Sequence, residues 1–257
     1  MLNDRRAARG ELYLSETLFR GNLLLSSLPL EVQHLLARSA ERLSAAKHET
    51  LVEPGHDVVH AYFPSGRTIV ALTLPMKDGR AVEAATVGWE GAVGGIVSLG
   101  FKPAFARVVV RSPGELVRIP IQKLEEAKRA EPKLHDALSR YADCLIAQIL
   151  QSVACASVHP LEARCARWLL MTHDRLQEPD LPMTQEALAD VFGVARTYMI
   201  RIIRGLEEKG AISHQRGSVR VEDRSVLENS ACECYGLVRG HFRRILPGVY
   251  PTSDPRR

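Results

Sequence analysis

Apolar residues follow two rhythms along the chain, and the change falls near Ile121. From Ser44 to Ile121 they come in short β-prone pieces: Val58–Phe63, Arg67–Leu74, Ala81–Val87, Phe105–Val110 and Leu116–Ile119. Turn signals separate them at Pro54-Gly55, Pro64-Ser65-Gly66, Asp78-Gly79, Glu90-Gly91 and Pro113-Gly114. Short strands at that spacing predict a small antiparallel barrel or sandwich. Ahead of them, Leu12–Leu25 and Leu30–Leu43 predict helices, with Pro29 where a first helical turn tolerates proline.

After Ile121 the period becomes helical. Lys133–Ala156 runs without glycine or internal proline, and Leu138, Ala142, Leu145 and Ile149, with Ile146 and Val153 beside them, form an apolar stripe at three- and four-residue steps. That face is too apolar for a lone surface helix. It is available to the chain's own domain or to the same helix of a second copy. His159-Pro160 closes this helix, Leu161–Leu176 predicts another, and Gln177–Pro182 is a polar linker with two prolines.

The stretch Met183–Asp223 carries the chemistry. Thr184 is placed to cap a short helix over Gln185–Phe192, and Gly193 supplies the left-handed turn after it. A second helix starts near Arg196 and runs to about Lys209. Two short helices joined by a glycine turn form a helix-turn-helix, with the small Ala189 permitting a close crossing and Leu188, Phe192 and Val194 filling the angle. At 100° per residue, Met199, Ile202, Ile203 and Leu206 share the side that must be buried. Thr197, Arg201 and Arg204 share the opposite side, with Ile200 at its margin and Arg196 at its start. Guanidinium groups bind guanine edges bidentately or hold phosphates, and a threonine or isoleucine beside them suits a thymine methyl. Ala211–His214 and Val219–Val221 then predict two strands around Gln215-Arg216-Gly217-Ser218, a wing offering Arg216 and Arg220 to phosphates.

Composition agrees without deciding. The 257 residues suffice for two modest domains, and a formal charge of +4 permits nucleic acid as a partner without demanding it. Five cysteines, an odd number, suit a reducing compartment better than a disulfide framework. No secretory core is evident, and Glu90 interrupts the most apolar run noted, Ala84–Phe101, so the expectation is a cytoplasmic chain with no membrane partner. No Gly-x-Ser-x-Gly, His-Glu-x-x-His or Walker loop points to an enzyme.

LADVFGVARTYMIRIIRGLEEKGAI followed by a short wing resembles the DNA-binding domain of the Crp/Fnr family of bacterial transcription regulators. The upstream HPLEARCARWLL is similar to the family's lead-in helix, and the turn-rich first half resembles its cyclic-nucleotide-binding-like β-roll. The resemblance is strong over Leu161–Val221 and weak over Ser44–Ile121. It implies an α+β chain with five parts: an N-terminal helical segment (1–43), an antiparallel, jelly-roll-like β-roll sensor (44–125), a dimerisation helix (126–158), a winged helix-turn-helix (159–231) and a basic tail (232–257). The tail's arginines, Arg239, Arg243 and Arg244, read as a solvated basic segment, with a short packed helix as the alternative. The resemblance also implies a homodimer on a palindromic double-stranded DNA site, with RNA polymerase as a further partner. By position, Arg196, Thr197 and Arg201 fall where the family reads bases, and Thr184, Gln185 and the wing, including Arg216 and Ser218, where it touches backbone. Thr197 stands where an acid is frequent, and Ala195 where a capping serine is common.

The sensor half departs further. Cyclic-nucleotide-binding members hold the phosphate with a Gly-Glu pair and, about ten residues on, an arginine and a hydroxyl. The arginine and hydroxyl positions fall here on Ala104 and Phe105, and Arg107 comes two or three residues late, which argues against cyclic-AMP binding of the family's usual kind. Glu90, Gly91 and Arg107 remain the candidate effector pocket. The first 143 residues hold no cysteine, so no iron–sulfur cluster is expected. Cys144, Cys155 and Cys165 read as small buried hydrophobes on helices. Cys232-x-Cys234, with His241 nearby, is a metal or redox candidate lacking a standard zinc spacing, so no metal residue is assigned. Two alternatives stand beside an effector-controlled regulator: a redox- or metal-responsive protein using its cysteines, and a DNA binder that needs no effector.

Overall fold

A computed structural model describes residues 17–251. Two antiparallel sheets form the first half. One has the order β1-β7-β3, from Glu41–Ala45 (β1), His60–Ser65 (β3) and Gly114–Pro120 (β7). The other has the order β2-β6-β4-β5, from Thr50–Val52 (β2), Ile69–Pro75 (β4), Ala81–Val87 (β5) and Arg107–Ser112 (β6). Inward residues of both sheets, Phe63, Val117 and Ile119 from one and Val70, Val87 and Val110 from the other, share one core. Removing such side chains from water is the main driving force for closing the roll.

The short helices α1 (Leu23–Ser26) and α2 (Leu30–Ala37) cover this core. The helix expected over Leu12–Leu25 begins outside the described residues; residues 17–19 are helical, and the helix breaks at Gly21-Asn22. A Cβ on Gly21 would lie 2.9 Å from the Cβ of Ser65. Asn22 accepts from the Leu25 amide and donates to the carbonyls of Pro64 and Gly91 at 2.8 and 2.9 Å, so the break ties the N-terminal segment to β3 and to the segment after β5. The helix expected over Leu30–Leu43 stops at Ala37. Glu41–Leu43 pairs with β7 instead, with Glu41 opposite Arg118 and bonded to it at 2.5 Å, so the roll begins ahead of Ser44. A strand partner supplied by distant residues overrides the local helical period.

Beyond the roll come α3 (Ile121–Ala130) and α4 (Pro132–Val158), which the sequence did not separate. Glu131 is extended, and Pro132 restarts the helix where its missing N–H costs nothing. α4 is apolar and long enough to cross a membrane, more so than Ala84–Phe101. Its Leu134, Leu138, Tyr141 and Cys144 pack into the roll's core, and Gln148 donates to the Thr86 carbonyl at 3.0 Å.

A second core lies around α5 (Leu161–Leu176), α6 (Gln185–Phe192), α7 (Arg196–Glu208) and the sheet β8-β10-β9, from Asp180–Leu181, Ser218–Val221 and Ile212–Gln215. Asp223 caps α8 (Arg224–Ser230) through the Ser225 and Val226 amides. The tail contradicts its expected solvated state: Cys234–Ile245 is a helix, α9, against α4, and Val238, Phe242, Leu246, Val249 and Tyr250 complete the first core. Their apolar periodicity is interleaved with arginines, which masked it.

Candidate DNA interface

The turn between α6 and α7 is built as its residues require. The Thr184 hydroxyl accepts from the Ala187 amide at 3.1 Å. At the other end Gly193 has φ +64°, its amide donates to the Asp190 carbonyl, and the Val194 amide reaches back to Ala189 at 3.0 Å. Those two bonds satisfy carbonyls that the helix end leaves open. Leu188 and Ala189 are buried at the crossing, with Phe192 and Val194 packed beside them. Ala195 gives α7 no side-chain cap.

On α7, Met199, Ile202, Ile203 and Leu206 are buried, while Arg196, Thr197, Arg201 and Arg204 are exposed and Ile200 is half-buried. No carboxylate among the described residues pairs with Arg196, Arg201, Arg204 or Arg216. Arg201 stacks 5.1 Å above the Tyr198 ring, which narrows the conformations of its long side chain. Thr184 and Arg216 are exposed, and Gln185 and Ser218 half-exposed, around the same helix pair. Arg220 does not join them: Asp180 holds it at 2.8 Å, with Glu222 at 3.8 Å. Sequence gave no sign of this pairing, because Asp180 arrives from β8, in the presumed linker. Gly205 was also missed; a Cβ there would meet the Glu162 carboxylate of α5 at 3.0 Å, a contact that the flexible end of the glutamate can relieve.

The stripe on α4 divides. Leu138 is buried in its own core and is not free for a second copy, while Leu145 is half-buried against that core. Ala142 and Ile149 are half-exposed, Ile146 is 55% and Val153 64% exposed, and Leu150, not singled out in the sequence, is 65% exposed. Ala142, Ile146, Ile149 and Val153 keep the four-three-four spacing of a helix–helix seam.

The candidate effector residues are not brought together as a pocket. Glu90 and Arg175 of α5 are both 1% exposed, and the Arg175 Nε and Nη2 lie 2.8 and 2.7 Å from the same Glu90 oxygen. Arg175 also donates to Thr86 and the Met171 carbonyl, and to Gln148 at 3.3 Å. Burial opposes the charge on Arg175, yet Glu90 holds the guanidinium above its ordinary pKa. The Tyr141 ring fills the space over Gly91: a Cβ there would sit 2.1 Å from its hydroxyl oxygen. Arg107 is bonded instead to Glu53 at 2.9 Å. Two surface cavities of about 290 and 280 Å³ are lined respectively by residues such as Leu36, Lys123 and Ala127, and by Glu53, His56 and Tyr62, not by Glu90 or Gly91. Further bonds join the roll to the DNA-binding half: Trp168 to Glu83 at 2.9 Å, Arg67 to Glu178 at 2.6 Å and Lys47 to the Pro182 carbonyl.

Cys144 and Cys165 are buried singly, and burial pushes each thiol up to about 12, as inert hydrophobes require. Cys155 is likewise fully buried on its helix, and it lies with Cys232 and Cys234 in a small cluster of their own. His241 is not its neighbour; that ring is bonded to Asp143 at 3.0 Å.

Comparison with known proteins agrees with this architecture. The Crp-like helix-turn-helix domain family matches residues 163–230. A global nitrogen regulator of Nostoc sp. is 25% identical over 185 residues, covering 68% of this chain and 82% of its own. The fold is shared with FixK2 from Bradyrhizobium japonicum (TM-score 0.65, 17% identity, 75% of this chain and 98% of that one). It is shared also with the c-di-GMP-responsive global regulator CLP of Xanthomonas campestris (TM-score 0.60, 16% identity, 76% and 100%). Residues 163–230 thus match a Crp-like helix-turn-helix domain, in a chain that is similar to a global nitrogen regulator and shares the fold of known transcription regulators.

Proposed function

We propose that the protein is a homodimer in the cytoplasm that binds a two-fold symmetric DNA site through α7. The observation that carries this is the face formed by Arg196, Thr197, Arg201 and Arg204: exposed, free of carboxylate partners among the described residues, and opposite a fully apolar buried face. A basic helix surface with no internal counter-charge attracts phosphate, and its arginines reach guanine O6 and N7 in the major groove. Thr184, Gln185, Arg216 and Ser218 flank it and hold the backbone on either side. The seam of Ala142, Ile146, Ile149 and Val153, extended by Leu150, pairs with its copy and sets the two recognition helices one DNA turn apart.

Control acts on the joint between roll and DNA-binding half. Arg175 already occupies Glu90 and Tyr141 covers Gly91, which favours an effector other than a cyclic nucleotide held in the family's usual manner. On DNA, the dimer affects transcription through RNA polymerase.

Selection from a randomised DNA pool, with and without cyclic AMP and cyclic GMP, tests the reading. The expected product is a two-fold symmetric motif enriched without nucleotide. Arg201→Ala should then lose discrimination by about 1–3 kcal/mol per half-site, roughly 5- to 150-fold, while binding to random DNA changes little. Equal losses on selected and random DNA sink the role given to Arg201.

A further inference from the structure

The end of α4 and the start of α9 bring four ligating side chains to one point. Cys155 and His159 are four residues apart at the end of α4, so they share a face. Cys232 precedes α9, and Cys234 opens it. The Cys155 and Cys232 sulfurs are 3.5 Å apart, and Cys234 Sγ is 3.5 Å from His159 Nδ1. All four ligand atoms lie within 4.8 Å of one another. The three cysteines are buried, and the His159 side chain is 18% exposed.

The two 3.5 Å separations are close to the edges of a tetrahedron around one ion, and the 4.8 Å limit lets the other ligand atoms close onto it by about an ångström. Zinc bonds of ~2.3 Å to sulfur and ~2.0–2.1 Å to nitrogen place neighbouring ligand atoms about 3.6–3.8 Å apart. A multi-iron cluster carries its thiolates on separate irons and spreads them further than this arrangement does. A disulfide requires ~2.05 Å between sulfurs and uses only two of the four groups.

The surroundings are those of a metal site. His159 presents Nδ1 to the cluster, while its Nε2 lies 3.1 Å from a Glu233 carboxylate oxygen, an arrangement that orients a ligating imidazole. Gln151 donates to Cys234 Sγ at 3.0 Å.

We propose that Cys155, His159, Cys232 and Cys234 form a closed, four-ligand structural site for a zinc ion. Soft thiolates and one imidazole select zinc, and four protein ligands leave no position for substrate or catalytic water. The ligands flank the winged helix-turn-helix on both sides: Cys155 and Cys232 are 77 residues apart. The ion therefore fastens the two ends of that domain to each other at His159-Pro160, where α4 passes into α5. It needs neither an operator nor an effector, so its failure would leave the proposed DNA binding standing.

The test uses the full chain, reduced and stripped of metal by a chelator. Titration with cobalt(II) should produce the intense visible bands of a tetrahedral thiolate site, saturate near ~1 equivalent per chain, and be reversed by zinc. Cys232→Ser should abolish those bands, and Cys165→Ser, outside the cluster, should leave them unchanged. Glu233→Gln disturbs no ligand and should weaken zinc binding by about 10- to 100-fold. No tetrahedral spectrum from the reduced wild-type chain, or an unaltered one from Cys232→Ser, overturns the site. A Cys155–Cys232 disulfide whose reduction restores no metal uptake overturns it as well. Unchanged affinity in Glu233→Gln overturns Glu233 as the group that orients His159, and unchanged cobalt bands in His159→Ala overturn His159 as the fourth ligand.

Discussion

Removing one charge from the Glu90–Arg175 pair should be among the costliest single changes in this protein. Both side chains are 1% exposed, and the carboxylate takes the Arg175 Nε and Nη2 on one oxygen, the Gly88 amide adding a bond at 3.2 Å. Glu90→Gln keeps the volume but leaves a guanidinium buried without its counter-charge. Breaking a buried pair on one side costs about 3–5 kcal/mol, because the surviving charge has lost both water and partner. For a chain of this size each kcal/mol shifts Tm by roughly 2–4 °C, so a fall of about 6–20 °C is expected. Arg175→Met should destabilise comparably, but the double variant Glu90→Gln/Arg175→Met should lose less than the sum, since no charge is then stranded. The assay is urea unfolding of all four proteins at one fixed concentration, which holds any dimer contribution constant. Single-variant losses below about 1 kcal/mol, with an additive double variant, would refute the reasoning. They would mean that water reaches the pair and that the roll and α5 part readily in solution.

Three further outcomes follow from contacts elsewhere. Burial, then the charge of Arg224, lowers the pKa of His173, whose Nδ1 accepts from Arg224 at 2.7 Å; burial, then Arg118, does the same to His60. A depressed histidine contributes stability above its unfolded pKa of ~6.5 that is lost as pH falls through the folded value, and His173→Asn should flatten that acid-side slope in pH-resolved unfolding. An unchanged slope refutes the His173 share. Gly91→Ala forces a methyl to within 2.1 Å of the Tyr141 oxygen and should cost about 1–3 kcal/mol or more in thermal unfolding, partly recovered in Gly91→Ala/Tyr141→Leu. No loss would place Tyr141 elsewhere. Ile146→Glu removes one apolar contact from each copy of the seam, roughly 4–6 kcal/mol in total, so sedimentation should show dimerisation weakened by about 10³- to 10⁴-fold. An intact dimer would exclude this face.

The helix-turn-helix was legible in the sequence because its information is local. A cap at Thr184, a turn at Gly193 and four apolar positions on α7 lie within one short stretch, and each has one physical reading. What stayed hidden depends on residues far apart in the chain. β1 was read as helix because Glu41–Leu43 is a strand only when β7 lies beside it. Leu138 and Leu145 share a helical period with Ile146 and Val153, and period alone cannot say which neighbour covers which side. Arg220 looked free until β8 brought Asp180 to it, and Glu90 looked like a ligand group until α5 brought Arg175. Cys155 and His159 are unremarkable on a helix until the tail returns to them across the whole DNA-binding domain.

The last turn of α5 shows how such distant contacts combine. Three consecutive residues there reach two bodies, because each step around a helix turns about 100°. Arg175 enters the roll and binds Glu90. Asp174 turns to the C-terminal segment, accepting from Arg224 at 2.7 Å, Tyr235 at 2.8 Å and Tyr250 at 3.4 Å. His173 meets Arg224 from the other side. These bonds are buried or half-buried, so rotating α5 breaks several at once rather than stretching one. A packed joint of this kind favours two discrete arrangements over a continuum. α5 thus connects the roll, through Arg175, with α8 and α9, through His173 and Asp174, and its other side packs against α7.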